Sequence, residues 1–315
     1  MVRVSAVLPV HNRRDLVIEA LDSILHQSYR DFEVLIADDG STDGTPLAVF
    51  ERLNAEPRAI KILSRMSATT MRPFSHILHY EDVAIQYHYA SRGLSAARNR
   101  AIRNARGTWL AFLEPEYLWD PAHLERLVAF ITANPRARIC YAGERTTRET
   151  GRSRRPARPS GWVFEQALSS SPLSIATALV HRSCFSECGG FDENLPSCED
   201  YDLWLRLAAR HAIFHVPGDA EVLRRSPRPD GTARGAWQCE RFRVYALEKS
   251  FQSGHLNADQ RLQVAEEIVR KCERLVEGLR KQESEERANF YERKRRRFSQ
   301  EVRKLRSSRT APVTT

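Results

Sequence analysis

The stretch Phe32–Gly44, FEVLIADDGSTDG, constrains the fold of this chain more than any other. Its first half is a short apolar run, Phe32, Val34, Leu35, Ile36 and Ala37, rich enough in branched side chains to be a buried strand. It then breaks into Asp38, Asp39, Gly40, Ser41, Thr42, Asp43 and Gly44. An open α/β sheet places its ligand crevice at the C-terminal ends of such strands, and here two carboxylates stand there. A βα turn whose acids only cap the next helix and meet solvent is the alternative, since Asp–Gly turns are common.

The flanking sequence repeats the rhythm. Arg3–Val10 is a strand ended by LPVHN, and Asp15–Gln27 is a helix with Leu16, Ala20, Leu21, Ile24 and Leu25 on one face. Thr45–Leu53 is a second helix, capped by Thr42 or Asp43, and Ala59–Leu63 a short third strand. Strand–helix–strand alternation implies parallel crossovers and a doubly wound sheet. Residues 65–91 interrupt this pattern as an insert, in a short helix or a hairpin. His76, His79 and His88 within it would allow a metal site; ordinary amphipathic surface residues are the alternative.

The rhythm resumes with helix Leu94–Ala105, stopped by Gly107. The strand Thr108–Leu113 then runs into Glu114, Pro115, Glu116 and Tyr117. Pro121 opens a helix to about Thr132. Strands follow at Ile139–Gly143 and Ile175–His181, separated by a polar, basic loop over 145–160. After the turn-rich CGGFDENLPSCED come the helix Tyr201–Arg210 and short strands at Ile213–Val216 and Glu221–Arg224.

From Ala236 the pattern is helical. Residues 258–282 carry Leu262, Ala265, Ile268, Val269, Cys272, Leu275, Val276 and Leu279 as an apolar stripe. Beyond Ser284 the stripe thins, RKRRR appears at 293–297, and SSRTAPVTT reads as disordered. The division is thus a domain over 1–235, a helical extension over 236–283 and a basic helical or disordered tail over 284–315. Residues 241–315 hold 19 Lys/Arg and 11 Asp/Glu, so most of the chain's net +9 lies there.

A helix through the tail aligns Phe298, Val302 and Leu305 on one face amid basic residues, which suits an anionic membrane surface. The other reading is a helix packed on the domain or on a second subunit. RKRRR alone raises nucleic acid, but no DNA-reading motif accompanies it, which argues against that partner. The absence of an 18-residue uncharged apolar run excludes a membrane-spanning helix. MVRVSAVLPVHN reads as a first strand rather than a signal peptide, so a cytoplasmic location is expected. Six cysteines without a CxxC pair point to free thiols.

Three acidic groups, Asp38/Asp39, Glu114/Glu116 and Glu199/Asp200, stand at strand ends or in loops. Carboxylates gathered at one sheet edge suit a divalent cation with a nucleotide diphosphate, or a general base. LPVHN (8–12), LDSILHQSYRDFEVLIADDGSTDGT (21–45), RGLSAARNRAIRNARGTWLAFLEPEYLWDP (92–121) and GGFDENLPSCEDYDLWLRLA (189–208) together resemble family-2 glycosyltransferases of the GT-A fold. The matches cover most of residues 1–225 in the family's order.

The resemblance implies an α/β, Rossmann-like, doubly wound mixed sheet with a C-terminal helical extension. It implies inverting transfer of a sugar from a nucleotide-diphosphate donor to a hydroxyl, on a glycan or lipid-linked acceptor of surface-glycan or polysaccharide synthesis. Pro9, Val10 and His11 would line the base, and Asp39, with Asp38 beside it, would hold the base or ribose. Arg98 falls in the ARN motif near the nucleotide. Glu114 and Glu116 fall on the Asp-x-Asp motif that holds Mn²⁺ or Mg²⁺. Asp200 falls on the catalytic base, with Glu199 positioning loop or acceptor; Trp204 is packing.

Three departures stand out. Glu-Pro-Glu replaces Asp-x-Asp, which sets the carboxylates about 1.5 Å further out for a cation that wants ligands at about 2.0–2.1 Å. Arg224 and Arg225 stand where a late His would reach the cation; they would neutralise diphosphate directly or be ordinary surface arginines. The 65–91 insert lies close to the nucleotide side. These departures imply a weak or atypical cation site, and the alternative function is a non-catalytic binding or scaffold protein that kept the fold.

Overall fold

In the computed structural model of the protein, residues 3–57, 73–146, 158–169, 173–218, 222–225 and 236–310 are described. The chain divides into two compact units. One comprises residues 1–161, 173–194 and 212–230, the other 162–172, 195–211 and 231–315. The expected strand Ala59–Leu63 and most of the 145–160 loop lie outside the described residues.

The strands of the first unit are β1 (Val4–Val10), β2 (Phe32–Asp38), β3 (Phe74–Tyr80), β4 (Val83–Tyr89), β5 (Trp109–Phe112), β6 (Tyr117–Leu118), β7 (Ile139–Tyr141), β8 (Glu144–Thr146), β9 (Ala178–His181), β10 (Phe214–His215) and β11 (Val222–Arg224). The helices of both units, in chain order, are α1 (Arg14–Leu25), α2 (Thr45–Arg52), α3 (Leu94–Asn104), α4 (His123–Ala133), α5 (Phe164–Ser169), α6 (Arg182–Cys188), α7 (Glu199–Ala208), α8 (Ala236–Gln252), α9 (Ala258–Lys281) and α10 (Glu285–Thr310).

The main sheet has eight strands in the order β10-β7-β9-β5-β1-β2-β4-β3. β1 runs parallel to β2 and β5, and β2 parallel to β4, while β9 is antiparallel to β5 and β7. Every residue of β1 and β2 is buried. This burial explains their near-continuous apolar runs, since a central strand covered on both faces has no need to alternate; the polar exceptions within the runs, Ser5 and Glu33, bond each other at 2.7 Å. Val17, Ala20, Leu21, Ile24 and Leu25 of α1 are buried. A second, three-stranded sheet orders as β6-β11-β8.

The structure corrects the insert. Over 74–89 the chain takes the hairpin, one of the two expected forms, with β3 antiparallel to β4; it is not an insert, because β4 is an integral strand of the main sheet. Val83, Ile85, Tyr87 and Tyr89 are buried at the strand period of two. The polar residues between them hid that alternation. His76 and His79, three apart on a strand, face opposite ways. His76 packs on the Phe50 ring (5.5 Å) and His88 meets Ser75 Oγ (2.8 Å), so the three do not form a metal site. Gly107 is no helix stop either: α3 ends at Asn104 with Ala105 as its extended cap, and a Cβ on Gly107 would fall 2.6 Å from the Ser5 amide nitrogen.

The second unit is helical in its described residues. A capping box starts α9: Gln260 N donates to Asn257 Oδ1 (2.8 Å) and Asn257 N to Gln260 Oε1 (3.0 Å). The apolar stripe is buried at Leu262, Ala265, Ile268, Cys272, Leu275, Val276 and Leu279. The tail continues this packing. α10 lies against α9, with Arg306 paired to Glu266 at 2.6 Å and Arg295 to Glu273 at 3.5 Å. Phe298 is 1% exposed and meets the Phe251 ring edge-on at 5.3 Å. The tail's main apolar side chain is therefore core, and Ser307–Thr310, expected to be disordered, are helical.

Candidate functional site

Because β1, β2, β4 and β5 run parallel, their C-terminal ends share one edge of the sheet. Asp38 ends β2 there, and the loops beyond the four strands carry His11, Asp39, Arg92, Glu114 and Glu116. Asp39 N donates to Val10 O (2.9 Å), and the His11 ring nitrogen Nδ1 lies 2.8 Å from Asp39 O, which makes it the donor. Asn12, at φ 51°, receives Thr42 N on its Oδ1 (2.7 Å), and its own N–H reaches Ser41 Oγ (2.9 Å). These bonds tie the turn after β1 to the turn after β2. Pro9 and Val10 are buried within β1.

The two aspartates have different fates. Asp38 is 1% exposed; its Oδ1 accepts Ser41 N (2.7 Å) and its Oδ2 accepts the Tyr87 hydroxyl. Both oxygens serve the fold. Burial lifts the Asp38 carboxyl above its ordinary pKa, against the pull of the Tyr87 and Ser41 hydrogen bonds. Asp39 points the other way. Its Oδ1 accepts Arg92 N (2.9 Å) and Gly93 N (2.7 Å), fixing the loop before α3, and no described residue binds Oδ2. Gly40 makes the sharp turn possible: it has φ +77°, and a Cβ would fall 2.6 Å from Ser91 Cβ.

α3 carries Arg98 and Asn99 inward. Arg98 Nη2 donates to Glu114 Oε1 at 2.6 Å, and its guanidinium lies 5.1 Å from the Phe191 ring centre. Asn99 holds the GGFDE segment by both backbone groups of Phe191 (2.8 and 2.9 Å) and by Glu193 (2.8 Å). A Cβ on Gly190 would fall 2.3 Å from Asn99 Oδ1, so the second glycine of the motif makes room for this clasp.

Glu116 accepts Arg13 Nε at 2.6 Å. Arg225 does not lie loose on the surface: it holds the carbonyls of Leu16 (2.9 Å) and Pro115 and pairs with Glu19 (2.7 Å), while its N–H bonds Glu116 O (2.9 Å). Arg224 lies over the Tyr117 ring, 5.9 Å from its centre. Arg13, Arg92, Asn12 and Tyr87 are site residues absent from the sequence-based expectation. Their partners are far along the chain, and only the LPVHN turn hints at Asn12.

Glu199 and Asp200 belong to the second unit and open α7, behind Cys198 at φ 64°. Burial, with Cys239 nearby, pushes the Cys198 thiol up to about 12. The helix is firmly seated. Tyr201, 1% exposed, donates to Leu168 O (2.7 Å), and Trp204 is likewise 1% exposed. Asp202 pairs with Lys249 (2.6 Å) and Arg206 (2.7 Å). Asp200 Oδ1 accepts Tyr201 N at 2.7 Å, which fixes its carboxylate at the helix start.

The family resemblance implies a divalent cation on Glu114 and Glu116. The donor set does not suit it. Each carboxylate already has a guanidinium at 2.6 Å, and among the described residues no group of three His, Cys, Asp or Glu side chains is placed to hold a metal. A hard cation needs several oxygen ligands free to turn inward.

The fold is that of the GT-A glycosyltransferases. S. aureus TarS 1–349 in complex with UDP superposes with a TM-score of 0.58 at 18% identity, covering 85% of this chain and 71% of that one. The chain belongs to glycosyl transferase family 2, whose profile matches residues 5–66 and 72–190; the glycosyltransferase-like family 2 profile matches 157–226. An uncharacterized glycosyltransferase of Rickettsia felis is 29% identical over 226 residues, covering 70% of this chain and 33% of that protein. The putative teichuronic acid biosynthesis glycosyltransferase TuaG of Bacillus subtilis is 24% identical over 209 residues, 65% of this chain and 71% of that one. The chain spans a third or less of the first curated relatives it matches. Among the described residues no helix is long and apolar enough to cross a membrane.

Proposed function

We propose that this protein is an inverting, hexosyltransferase-type enzyme that moves a sugar from a nucleotide-diphosphate donor to a hydroxyl of a glycan or lipid-linked acceptor in surface-glycan or polysaccharide synthesis. The observation that carries this reading is Asp39. One carboxylate oxygen is spent on Arg92 N and Gly93 N, and the other is left over at the sheet edge beside His11. A carboxylate so fixed is preorganised to accept hydrogen bonds from a ribose or base. The UDP bound by TarS and the teichuronic acid role in the name of TuaG support the donor class and the pathway class.

In this reading Asp200 is the base. It takes the proton from the acceptor hydroxyl as that oxygen bonds to the anomeric carbon. The bond from that carbon to the diphosphate oxygen breaks, and its electron pair leaves with the diphosphate. One base suffices, because no covalent intermediate forms. Glu199 positions the acceptor. No step is assigned to a cation. Work in the cytoplasm, with the exposed Arg293, Arg297 and Arg303 of α10 toward an anionic membrane surface, would suit a lipid-linked acceptor.

A second reading, a non-catalytic binding or scaffold protein, is favoured by the arginine-paired Glu114 and Glu116. Calorimetry with UDP and a donor-hydrolysis screen across nucleotide sugars separate the two. The transferase binds UDP and hydrolyses at least one donor, and Asp39→Ala weakens nucleotide binding by about 1.5–3 kcal/mol, the worth of a charged hydrogen bond. A protein that binds nucleotide and turns over nothing is the scaffold.

A further inference from the structure

A cavity of about 60 Å³ lies where β2 and β4 meet α3. Its charged and polar lining is Asp38, His88, Arg92, Arg100, Arg103 and Glu193; the rest is alanine, which leaves the space open. The placement follows from register. His88 stands opposite Ala37 in the parallel β2–β4 pair, so both face the same side of the sheet. Arg100 and Arg103, three apart on α3, share a helix face, and Arg92 comes from the loop before it.

The charge balance is one-sided. Asp38 has both oxygens engaged by Ser41 N and Tyr87. Glu193 already accepts Asn99 Nδ2 at 2.8 Å. Arg92, Arg100 and Arg103 form no ion pair with a described residue. A second observation is independent of the arginines. His88 is 6% exposed, its Nδ1 lies 2.8 Å from Ser75 Oγ, and its buried Nε2 has no hydrogen-bond partner among the described residues. With the Ser75 hydroxyl donating to Nδ1, the neutral ring carries its proton on Nε2, a donor in the cavity wall. Buried donors are ordinarily paired.

We propose that this cavity binds a small oxyanion, phosphate or carboxylate in chemical class, at a site that adjoins that of the nucleotide through Arg92 but is occupied independently of it. The His88 Nε2–H donates to it, and the guanidinium groups of Arg92, Arg100 and Arg103 neutralise it. The size agrees: at roughly 10–15 Å³ per water on the same measure, the space holds about four to six waters, or one phosphate group. Guanidinium forks suit the planar or tetrahedral oxygens of such an anion better than they suit water.

Inorganic phosphate is the probe. The full chain, with His88 imidazole nitrogens labelled, is titrated at neutral pH without nucleotide, by NMR and by calorimetry. The His88 signals should shift saturably, and Arg100→Gln should weaken binding roughly tenfold, as loss of a charged hydrogen bond predicts. Arg103→Gln, at an exposed position that should leave folding intact, is the second variant and should weaken it in the same direction. A repeat at saturating UDP should leave the phosphate affinity unchanged. Three results would each overturn the proposal: His88 signals that ignore phosphate, an affinity unchanged from the parent in both arginine variants, or displacement of phosphate by UDP. The last would make the cavity a subsite for the donor's own phosphates.

Discussion

Arg98 reaches Glu114 at 2.6 Å with a side chain only 4% exposed, while the glutamate is 28% exposed. The arginine of one family motif thus holds the acid of another. The pair joins α3 to the loop after β5 on the edge where Asp39 stands. Removing the acid leaves a guanidinium in a site that solvent barely reaches. Glu114→Gln is therefore expected to destabilise the protein by about 1–3 kcal/mol, since weakening a close ion pair to a buried charge is penalised more than weakening an exposed one. Thermal or urea melts check this; an unchanged midpoint contradicts it.

The same pairing predicts weak metal dependence. Mn²⁺ or Mg²⁺ must compete with Arg98 for Glu114 and with Arg13 for Glu116. Nucleotide binding measured in EDTA should be close to that in millimolar metal. Whatever activation of donor hydrolysis remains should favour Mn²⁺, which binds imperfect sites more readily than Mg²⁺. Tight, Mg²⁺-selective activation would show that the arginines yield their carboxylates easily.

Phe298→Ala should destabilise the helical unit by about 3–5 kcal/mol, the usual cost of removing a buried aromatic side chain. Phe298 sits at 1% exposure against Phe251, in the angle between α8 and α10. Loss of helical signal at lower temperature in the variant checks the assignment. A variant as stable as the parent would return Phe298 to the surface.

How far the fold was legible in the sequence depended on local pattern. β1 and β2 could be read because a central parallel strand writes itself as a near-continuous apolar run, and α9 because its stripe holds the helical period over 24 residues. β4 was missed because Gln86 and His88, with the histidines and tyrosines around them, masked the alternation of buried Ile85, Tyr87 and Tyr89 and gave the stretch the look of an insert. Phe298 was ambiguous because an apolar residue amid arginines suits a membrane surface and a helix interface equally. The site divided in the same way. Asp39, Arg98 and Glu114 stood in motifs. The Arg13–Glu116 bond spans 103 residues and that of Asp39 to Gly93 spans 54, and no periodicity announces such pairings.

His88 gives a pH dependence of known sign. Burial, and then the charge of Arg100, hold its imidazole below the ordinary 6.5. The unfolded chain takes up this proton near 6.5 while the folded ring resists it. Its contribution to stability is therefore present above that value and is lost as the pH falls through it toward the folded value. Melts between about pH 8 and 5 in phosphate-free buffer should show a smaller acid-side loss in His88→Gln than in the parent. Identical slopes would mean that His88 titrates normally in the folded protein.

The central claim, transfer from a nucleotide sugar with Asp200 as base, is tested most directly by measuring donor turnover and UDP binding side by side in the parent and in Asp200→Asn. The account predicts that the parent binds UDP and turns over a donor. The variant should keep the UDP affinity and lose turnover by about 10²–10⁴, the range for loss of a positioned base. Near-parental turnover in the variant, or a parent that binds no nucleotide, would contradict it.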